Sequence, residues 1–279
     1  MTSCLTDDQV VQFNKDGVIV VRDFYRNKDI LPIQNEIYEI IGFVMKKNGV
    51  DDKRASFDGQ NFDEGFSVLI AENRSWGSEV YDAVKQIPAF HRLVAHPAHE
   101  TIMRELRPGA HPGLAAGGYG IRIDNPGEDK FRALWHQEYP AQLRSLNGLV
   151  FWSPLIPITD DLGPVIFCPG SQVEGPLPVS VADSGKVSRT GAYALQIHNE
   201  SQYINKYPHV APLTSPGDLV IIDFLVLHAS GFNRGRRSRW SMQFRYFDFA
   251  EPNGQKHGWS GSYAAGVDFR TIHPELFIG

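Results

Sequence analysis

The second half of the chain consists of short apolar runs separated by Gly, Pro and Asp. Runs of this length and spacing are typical of the strands of a β-sandwich or β-barrel. In the clearest run, residues 239–246, strict alternation places Arg239, Ser241, Gln243 and Arg245 on one face and apolar side chains on the other. That polar face predicts a wet cavity inside a barrel. Strands are predicted over residues 18–21, 119–123, 132–136, 148–155, 165–168, 193–197, 218–224 and 239–247.

The first half of the chain has helical periodicity instead. Apolar residues recur every three or four positions over residues 27–47, which predicts a long helix. Thr6 is a suitable N-cap for a shorter helix that ends at Gly17. Helices are predicted over residues 7–15, 27–47, 78–94 and 97–106. The segment 51–75 lacks any period, so this segment and the later connection 173–202 are the natural candidates for a lid.

These patterns together predict a mainly β fold with a helical flank, in which a barrel packs under the N-terminal helices. The chain has no internal repeat and no Pro-rich linker, so we expect a single domain. Residues 1–115 would form a mostly helical N-terminal elaboration, residues 116–250 the β core and residues 251–279 a C-terminal tail.

Composition limits the possible partners and compartments. With 27 Lys and Arg against 32 Asp and Glu, the net charge of −5 gives no electrostatic drive toward nucleic acid or an anionic membrane. No apolar run approaches the roughly 18 residues that a membrane helix requires. Cys4 and Cys168 are too few for a disulfide framework or a thiolate zinc site, so a reducing, cytoplasmic compartment is expected.

A possible metal site begins at His136 and Glu138, which follow a strand-like run. In an extended segment, residues two apart point to the same side, so both side chains can reach one ion. His228, at the end of the apolar strand 218–224, is the best candidate for a third ligand. Two histidines and one carboxylate form the facial triad of non-haem Fe(II) oxygenases.

Arg239 makes this interpretation more specific, since it lies on the polar face of the strand 239–247, shortly after His228. A guanidinium offers a planar fork that binds a carboxylate at two points, as a dicarboxylate cosubstrate requires.

The order and spacing of these motifs resemble the phytanoyl-CoA dioxygenase family of Fe(II)- and 2-oxoglutarate-dependent oxygenases. The motifs that carry the resemblance are Asp16-Gly17-Val18-Ile19-Val20-Val21, Trp135-His136-Gln137-Glu138-Tyr139, Cys168-Pro169-Gly170-Ser171-Gln172, Pro216-Gly217-Asp218, and His228 followed by Arg239. The resemblance implies a double-stranded β-helix, the jelly roll of cupin-like proteins, over residues 116–250. It further implies that His136, Glu138 and His228 bind Fe(II) and act in catalysis, and that Arg239 binds 2-oxoglutarate with Ser230 and Trp152 beside it.

The chain departs from the family pattern at two positions. Glu138 stands where the family usually has Asp, which moves the carboxylate by one methylene, and Gln172 stands where it often has His. Because a carboxylate occupies the coordination position that a halogenase leaves free for halide, the resemblance does not imply halogenation.

The implied reaction uses O2 and 2-oxoglutarate, releases succinate and CO2, and by default hydroxylates the substrate. Polar residues near the predicted site, among them Arg122, Gln137 and Gln243, predict a small polar metabolite or natural-product intermediate as substrate. The same centre can catalyse desaturation, epimerisation or ring closure. Two alternatives are a non-oxidative, cupin-like isomerase or binding protein and a zinc hydrolase that uses the same triad. Neither nucleic acid nor a membrane is an expected partner, and the sequence indicates no oligomeric state.

Overall fold

Short antiparallel strands form the core of the protein in a computed structural model, which describes residues 3–181, 195–261 and 268–278. The strands are Val18–Val21 (β1), Pro112–Leu114 (β2), Gly120–Asp124 (β3), Leu149–Pro154 (β4), Val165–Phe167 (β5), Val179–Val181 (β6), Leu195–Ile197 (β7), Leu219–Asp223 (β8), His228–Ser230 (β9) and Arg239–Asp248 (β10). The α-helices are Asp7–Asp16 (α1), Asn27–Lys47 (α2), Phe66–Glu72 (α3), Arg74–Val84 (α4), Pro88–Val94 (α5), Pro97–Leu106 (α6), Tyr139–Gln142 (α7), Glu200–Ile204 (α8), Pro252–Lys256 (α9) and Phe269–Ile272 (α10).

The largest sheet has the order β1-β8-β4-β10-β2, and β3 also pairs with β10. Two smaller sheets consist of β5 with β9 and of β6 with β7, and all of these pairings are antiparallel. β4 and β8 are buried along their whole length, as expected for strands in the middle of a covered sheet. The sheet takes β1 and β2 from before residue 116, while the predicted division of the chain at that residue stays a prediction.

The longest strand, β10, has the two faces that its alternation predicts. Arg239, Gln243 and Arg245 line a cavity. On the opposite face the fully buried Trp240 packs edge-on against Phe66, with ring centroids 5.0 Å apart. This face rests under the N-terminal helices, which therefore fix β10 from outside while its polar residues face inward.

The segment 51–75, a candidate lid, is not an open loop. It contains helix α3, and Phe62, Phe66 and Leu69 are buried in the core. In the other candidate, 173–202, the strands β6 and β7 border the cavity through Val179, Leu195 and Ile197. Residues 182–194 of that candidate, and with them the start of the strand predicted over 193–197, lie outside the described residues.

Two predicted elements are wrong. The helix predicted over 78–94 is two helices, α4 and α5, because Pro88 has no N–H to continue the first and instead starts the second. The strand predicted over 132–136 is irregular and pairs only at the isolated bridge between His136 and His228.

Among the described residues, no helix combines the length and the apolar character needed to cross a lipid bilayer.

Candidate metal centre

Two histidines from distant parts of the chain are joined by a pair of backbone hydrogen bonds. His136 N donates to His228 O at 3.0 Å and His228 N donates to His136 O at 3.1 Å. The side chains follow the same pattern: Nδ1 lies 2.7 Å from Leu134 O in His136 and 2.9 Å from Val226 O in His228. Because a carbonyl oxygen only accepts, each Nδ1 carries the proton and each Nε2 keeps a free lone pair.

Glu138 brings a carboxylate to the same place by a route that differs from the predicted one. Its backbone is helical, with φ −71° and ψ −32°, and it caps α7. The extended geometry predicted to align His136 with Glu138 is therefore wrong, because the chain turns at Glu138. The turn leaves Glu138 Oε2 4.0 Å from His228 Nε2. One ligand atom from each of the three side chains lies within 4.8 Å of the others.

Burial and neighbouring charges set the protonation of these three groups. Burial, together with repulsion from His136, lowers the pKa of His228 to about 3, and burial also lowers the pKa of His136. Burial alone would raise the pKa of Glu138, but the charge and hydrogen bond of Arg245, together with the two neighbouring histidines, outweigh it and bring the pKa to about 2. At neutral pH the cluster offers two neutral imidazoles and one carboxylate, which is the donor set of a non-haem Fe(II) site.

The Glu138 carboxylate is held by two side chains. Arg245 donates from Nε to Oε1 at 2.9 Å and from Nη2 to Oε2 at 3.3 Å. Gln142, one helical turn after Glu138, donates from Nε2 to Oε1 at 3.3 Å. These contacts restrain a carboxylate that is one methylene longer than the aspartate usual at this position.

The three potential ligands line a cavity of about 370 Å³. Arg122, Arg239, Arg245, Gln142, Gln243 and Ser230 contribute polar groups to its wall. Trp152, Val179, Leu195 and Ile197 contribute apolar surface. The cavity therefore brings together the predicted metal ligands and the predicted cosubstrate residues Arg239, Ser230 and Trp152.

Arg239 is buried and already has protein partners. Its Nη2 donates to Asp124 Oδ2 at 2.8 Å, its Nε to the same oxygen at 3.3 Å, and its Nη1 to the Gly163 carbonyl. Arg122 donates from Nε to both oxygens of Asp124 at 2.9 Å. Burial alone would raise the pKa of Asp124, but the charges of Arg122 and Arg239 bring it to about 2. Asp124 is thus an ionised partner of both arginines.

The remaining predicted substrate residues differ in how many of their hydrogen-bonding groups are already used within the protein. Gln137 borders the cavity, but its Nε2 donates to Gly175 O and Leu225 O, both at 2.8 Å, and its Oε1 accepts from Leu177 N at 2.8 Å. It therefore braces two loops, and its contact with substrate stays a prediction. Within the described part of the chain, Gln243 forms one side-chain hydrogen bond, in which its Oε1 accepts from Arg245 at 3.2 Å.

Comparison with known families decides the relationship. The family model for phytanoyl-CoA dioxygenase (PhyH) matches residues 13–241. The chain belongs to the phytanoyl-CoA dioxygenase family. This membership confirms the predicted class, a non-haem Fe(II)- and 2-oxoglutarate-dependent oxygenase, and the expected cofactors Fe(II), 2-oxoglutarate and O2. A comparison with curated protein sequences finds no significant match.

Solved structures share the fold of this phytanoyl-CoA dioxygenase family member. EctD from S. alaskensis, crystallised with 2-oxoglutarate and 5-hydroxyectoine, has a TM-score of 0.58 and 17% identity over 89% of this chain and 78% of its own. The carbocyclase SnoK from nogalamycin biosynthesis has a TM-score of 0.56 and 16% identity over 88% and 86%. AviO1 from Streptomyces viridochromogenes Tue57 has a TM-score of 0.54 and 15% identity over 90% and 99%. At these identities the likeness concerns the fold, and it confirms the predicted jelly-roll class.

Sequence reasoning missed three residues at the centre of this phytanoyl-CoA dioxygenase family member. Arg245 was placed on the polar face of β10 but not assigned to Glu138. Asp124 was not identified as the partner of Arg239. Gln142 depends on helix α7, which is only four residues long and leaves no periodic signal.

Proposed function

We propose that the protein oxidises a small polar metabolite, with Fe(II) bound by His136, Glu138 and His228 and 2-oxoglutarate anchored by Arg239. The observation that supports this proposal most directly is the convergence of the three donors on the wall of a cavity that also contains Arg239. Hydroxylation of the substrate, with release of succinate and CO2, is the reaction we assign. A cytoplasmic location stays a prediction.

The donor atoms fit the metal. Both Nε2 atoms are unprotonated and face a carboxylate whose pKa is about 2, so no proton has to leave the site before a cation binds. When bound, Fe(II) supplies the activation of O2 that drives the oxidation. The protein's own contribution is to hold the ligands, orient the two organic molecules and keep bulk water out of the cavity.

The guanidinium of Arg239 fits the distal carboxylate of 2-oxoglutarate. Of its five N–H groups, three are used by Asp124 and the Gly163 carbonyl. One N–H on each terminal nitrogen remains, which is enough for a two-point contact. Ser230 and Trp152 line the same cavity, so we assign them to the cosubstrate, and Arg122 and Gln243 to the substrate.

The buried guanidinium of Arg239 also separates this proposal from its alternatives. A cupin-like binding protein or isomerase needs a metal and a cavity but no second cation dedicated to a dicarboxylate. A zinc hydrolase likewise has no use for a 2-oxo acid. Both alternatives therefore predict that 2-oxoglutarate is neither bound nor consumed.

The test has two parts. Anaerobic addition of Fe(II) and 2-oxoglutarate should give the weak visible charge-transfer band of the chelate, and a panel of polar metabolites with O2 should then release succinate. His228→Ala should abolish both the band and succinate release, whereas His111→Ala, at an exposed position, should retain them. Succinate release that persists in His228→Ala, or the absence of the band in the unchanged protein, would contradict the proposal.

A further inference from the structure

The cavity carries more positive than negative side-chain charge. Among the residues that the structure describes, Arg122, Arg239 and Arg245 line the wall together with a single carboxylate, Glu138. Asp124 lies behind Arg122 and Arg239 and is shared by both. Three guanidiniums thus face two carboxylates.

Cosubstrate and metal do not remove this excess. A divalent cation and doubly charged 2-oxoglutarate cancel each other, so one positive charge remains in the filled site. The side chains concerned are buried, with Arg239 exposed by 2% and Arg245 by 12%. An uncompensated charge at such depth is costly, and an anion that enters the cavity would relieve it.

In the filled site the excess lies at the end of the cavity away from the cosubstrate anchor, because one carboxylate of 2-oxoglutarate offsets the charge of the two arginines that share Asp124. Arg239 and Arg245 are six positions apart on β10, and at about 3.3 Å per residue their backbones are separated by about 20 Å. Asp124 contacts Arg239, whereas Arg245 has only the metal-binding Glu138 as a charged partner among the described residues. The two arginines therefore cannot serve the same carboxylate.

A second buried guanidinium adds to the positive potential beside Arg245. Arg144 donates to Ala116 O at 3.0 Å and to Gln142 Oε1 at 3.4 Å, and no carboxylate pairs with it in the described part of the chain. Gln142 in turn contacts Glu138. The region around Glu138 and Arg245 therefore contains two guanidiniums for one carboxylate.

Donors are available for an anion at this end. Arg245 gives Nε to Glu138, Nη2 to Glu138 and Gln243, and one N–H of Nη1 to Gly118 O at 3.2 Å. The second N–H of Nη1 has no acceptor among the described residues. The amide Nε2 of Gln243, in the same cavity wall, is likewise without one. Two N–H groups in the same cavity wall suit a carboxylate.

We propose that the substrate is a small carboxylic acid, whose carboxylate binds Arg245 and Gln243 while its hydrocarbon part packs on the apolar wall formed by Val179, Leu195 and Ile197. This inference rests on the proposed function and narrows its substrate class. The cavity volume of about 370 Å³, which must also hold 2-oxoglutarate, limits the acid to a compact one. The carboxylate would be held close to the metal ligands, so the carbon atoms next to it are those presented for oxidation.

The experiment compares an acid with its neutral isostere. Protein loaded anaerobically with Fe(II) and saturating 2-oxoglutarate is titrated with isobutyrate and, separately, with isobutyramide, using calorimetry and the visible band. Saturating 2-oxoglutarate keeps the probes away from Arg239. We expect the acid to bind about tenfold more tightly than the amide, because it adds a charge-assisted contact.

Variants test whether the preference for the acid over the amide depends on Arg245. Arg245→Met should bind acid and amide equally, Arg245→Lys should retain part of the preference, and Arg92→Met, which removes an exposed cation from α5, should match the unchanged protein. Failure of the chelate band in the unchanged protein would overturn the proposed function and this inference together. A normal band without preference for the acid, including no binding of either probe, would overturn only the inference. Loss of the band in Arg245→Met would also overturn it, because Arg245 would then act by positioning Glu138.

Discussion

Replacement of Asp124 by Asn tests the charge arrangement behind the cosubstrate anchor. The carboxylate of Asp124 accepts from Arg122 at 2.9 Å and from Arg239 at 2.8 Å. The two guanidiniums lower its pKa from the ordinary value of 3.8 to about 2 in spite of burial. An amide keeps the shape of this group but cannot carry its charge, so two buried cations would lose their partner.

The expected loss of stability follows from the pKa shift of Asp124. A pKa lowered from 3.8 to about 2 corresponds to about 2 kcal/mol of stability. Because the folded pKa lies below the unfolded one, this contribution is complete above about pH 5 and is lost as the pH falls through 3.8 toward 2. At neutral pH the variant should lose at least this amount, and up to about 3–5 kcal/mol if nothing replaces the negative charge beside Arg122 and Arg239.

Urea unfolding of the metal-free proteins at a series of pH values measures this contribution. The difference in unfolding free energy between the unchanged protein and Asp124→Asn should be largest at pH 7 and about 1 kcal/mol smaller by pH 3. Glu100→Gln, which breaks an exposed pair with Arg104 on α6, should change stability by no more than about 0.5 kcal/mol at any pH. A difference that stays constant with pH, or that grows on acidification, would refute the assigned ionisation of Asp124.

Three further predictions concern the ligands, the support of helix α7 and the core. Both ligand histidines are already neutral and Glu138 is ionised, so Co(II) binding at pH 7 should release no protons. The binding enthalpy measured by calorimetry should therefore not depend on the ionisation enthalpy of the buffer. Release of about one proton would contradict the assigned protonation states. Tyr139→Phe removes a hydroxyl that lies 2.6 Å from both His273 Nε2 and Asn253 Nδ2. It should lower the free energy of urea unfolding by about 1–3 kcal/mol. An unchanged midpoint would show that these hydrogen bonds do not contribute to stability. Trp240→Ala should lower the unfolding free energy by about 3–5 kcal/mol in the same measurement, because the indole is fully buried under the helices. A loss below about 1 kcal/mol would mean that the core collapses to fill the space.

Periodicity explains which parts of the fold the sequence predicts. β10 alternates over its first eight residues, so Arg239 and Trp240 could be assigned to opposite faces. β8 and β4 each open with a continuous run of four apolar residues, which is the pattern of covered strands. β6 and β9 have three residues each and give too little pattern to separate them from loops.

The residue types of the candidate centre could be predicted from the sequence, but its local geometry could not. His136, Glu138 and His228 were identified by their chemistry and spacing, although His136 forms only one bridge and Glu138 starts a helical turn. Contacts that depend on the tertiary arrangement, such as Arg245 with Glu138, leave no signal in the linear order. Alternation shows that Arg245 faces inward, but only the folded chain shows which carboxylate it meets.

The bridge between His136 and His228 uses main-chain atoms alone. Truncating either imidazole should therefore leave the crossing of the two segments in place, with a ring-shaped gap beside the surviving donors. Free imidazole added to the solution has the dimensions to refill such a gap. Coordination at this position can then be restored without a covalent link to the chain, and the basicity of the donor becomes something an experimenter chooses from a series of substituted azoles.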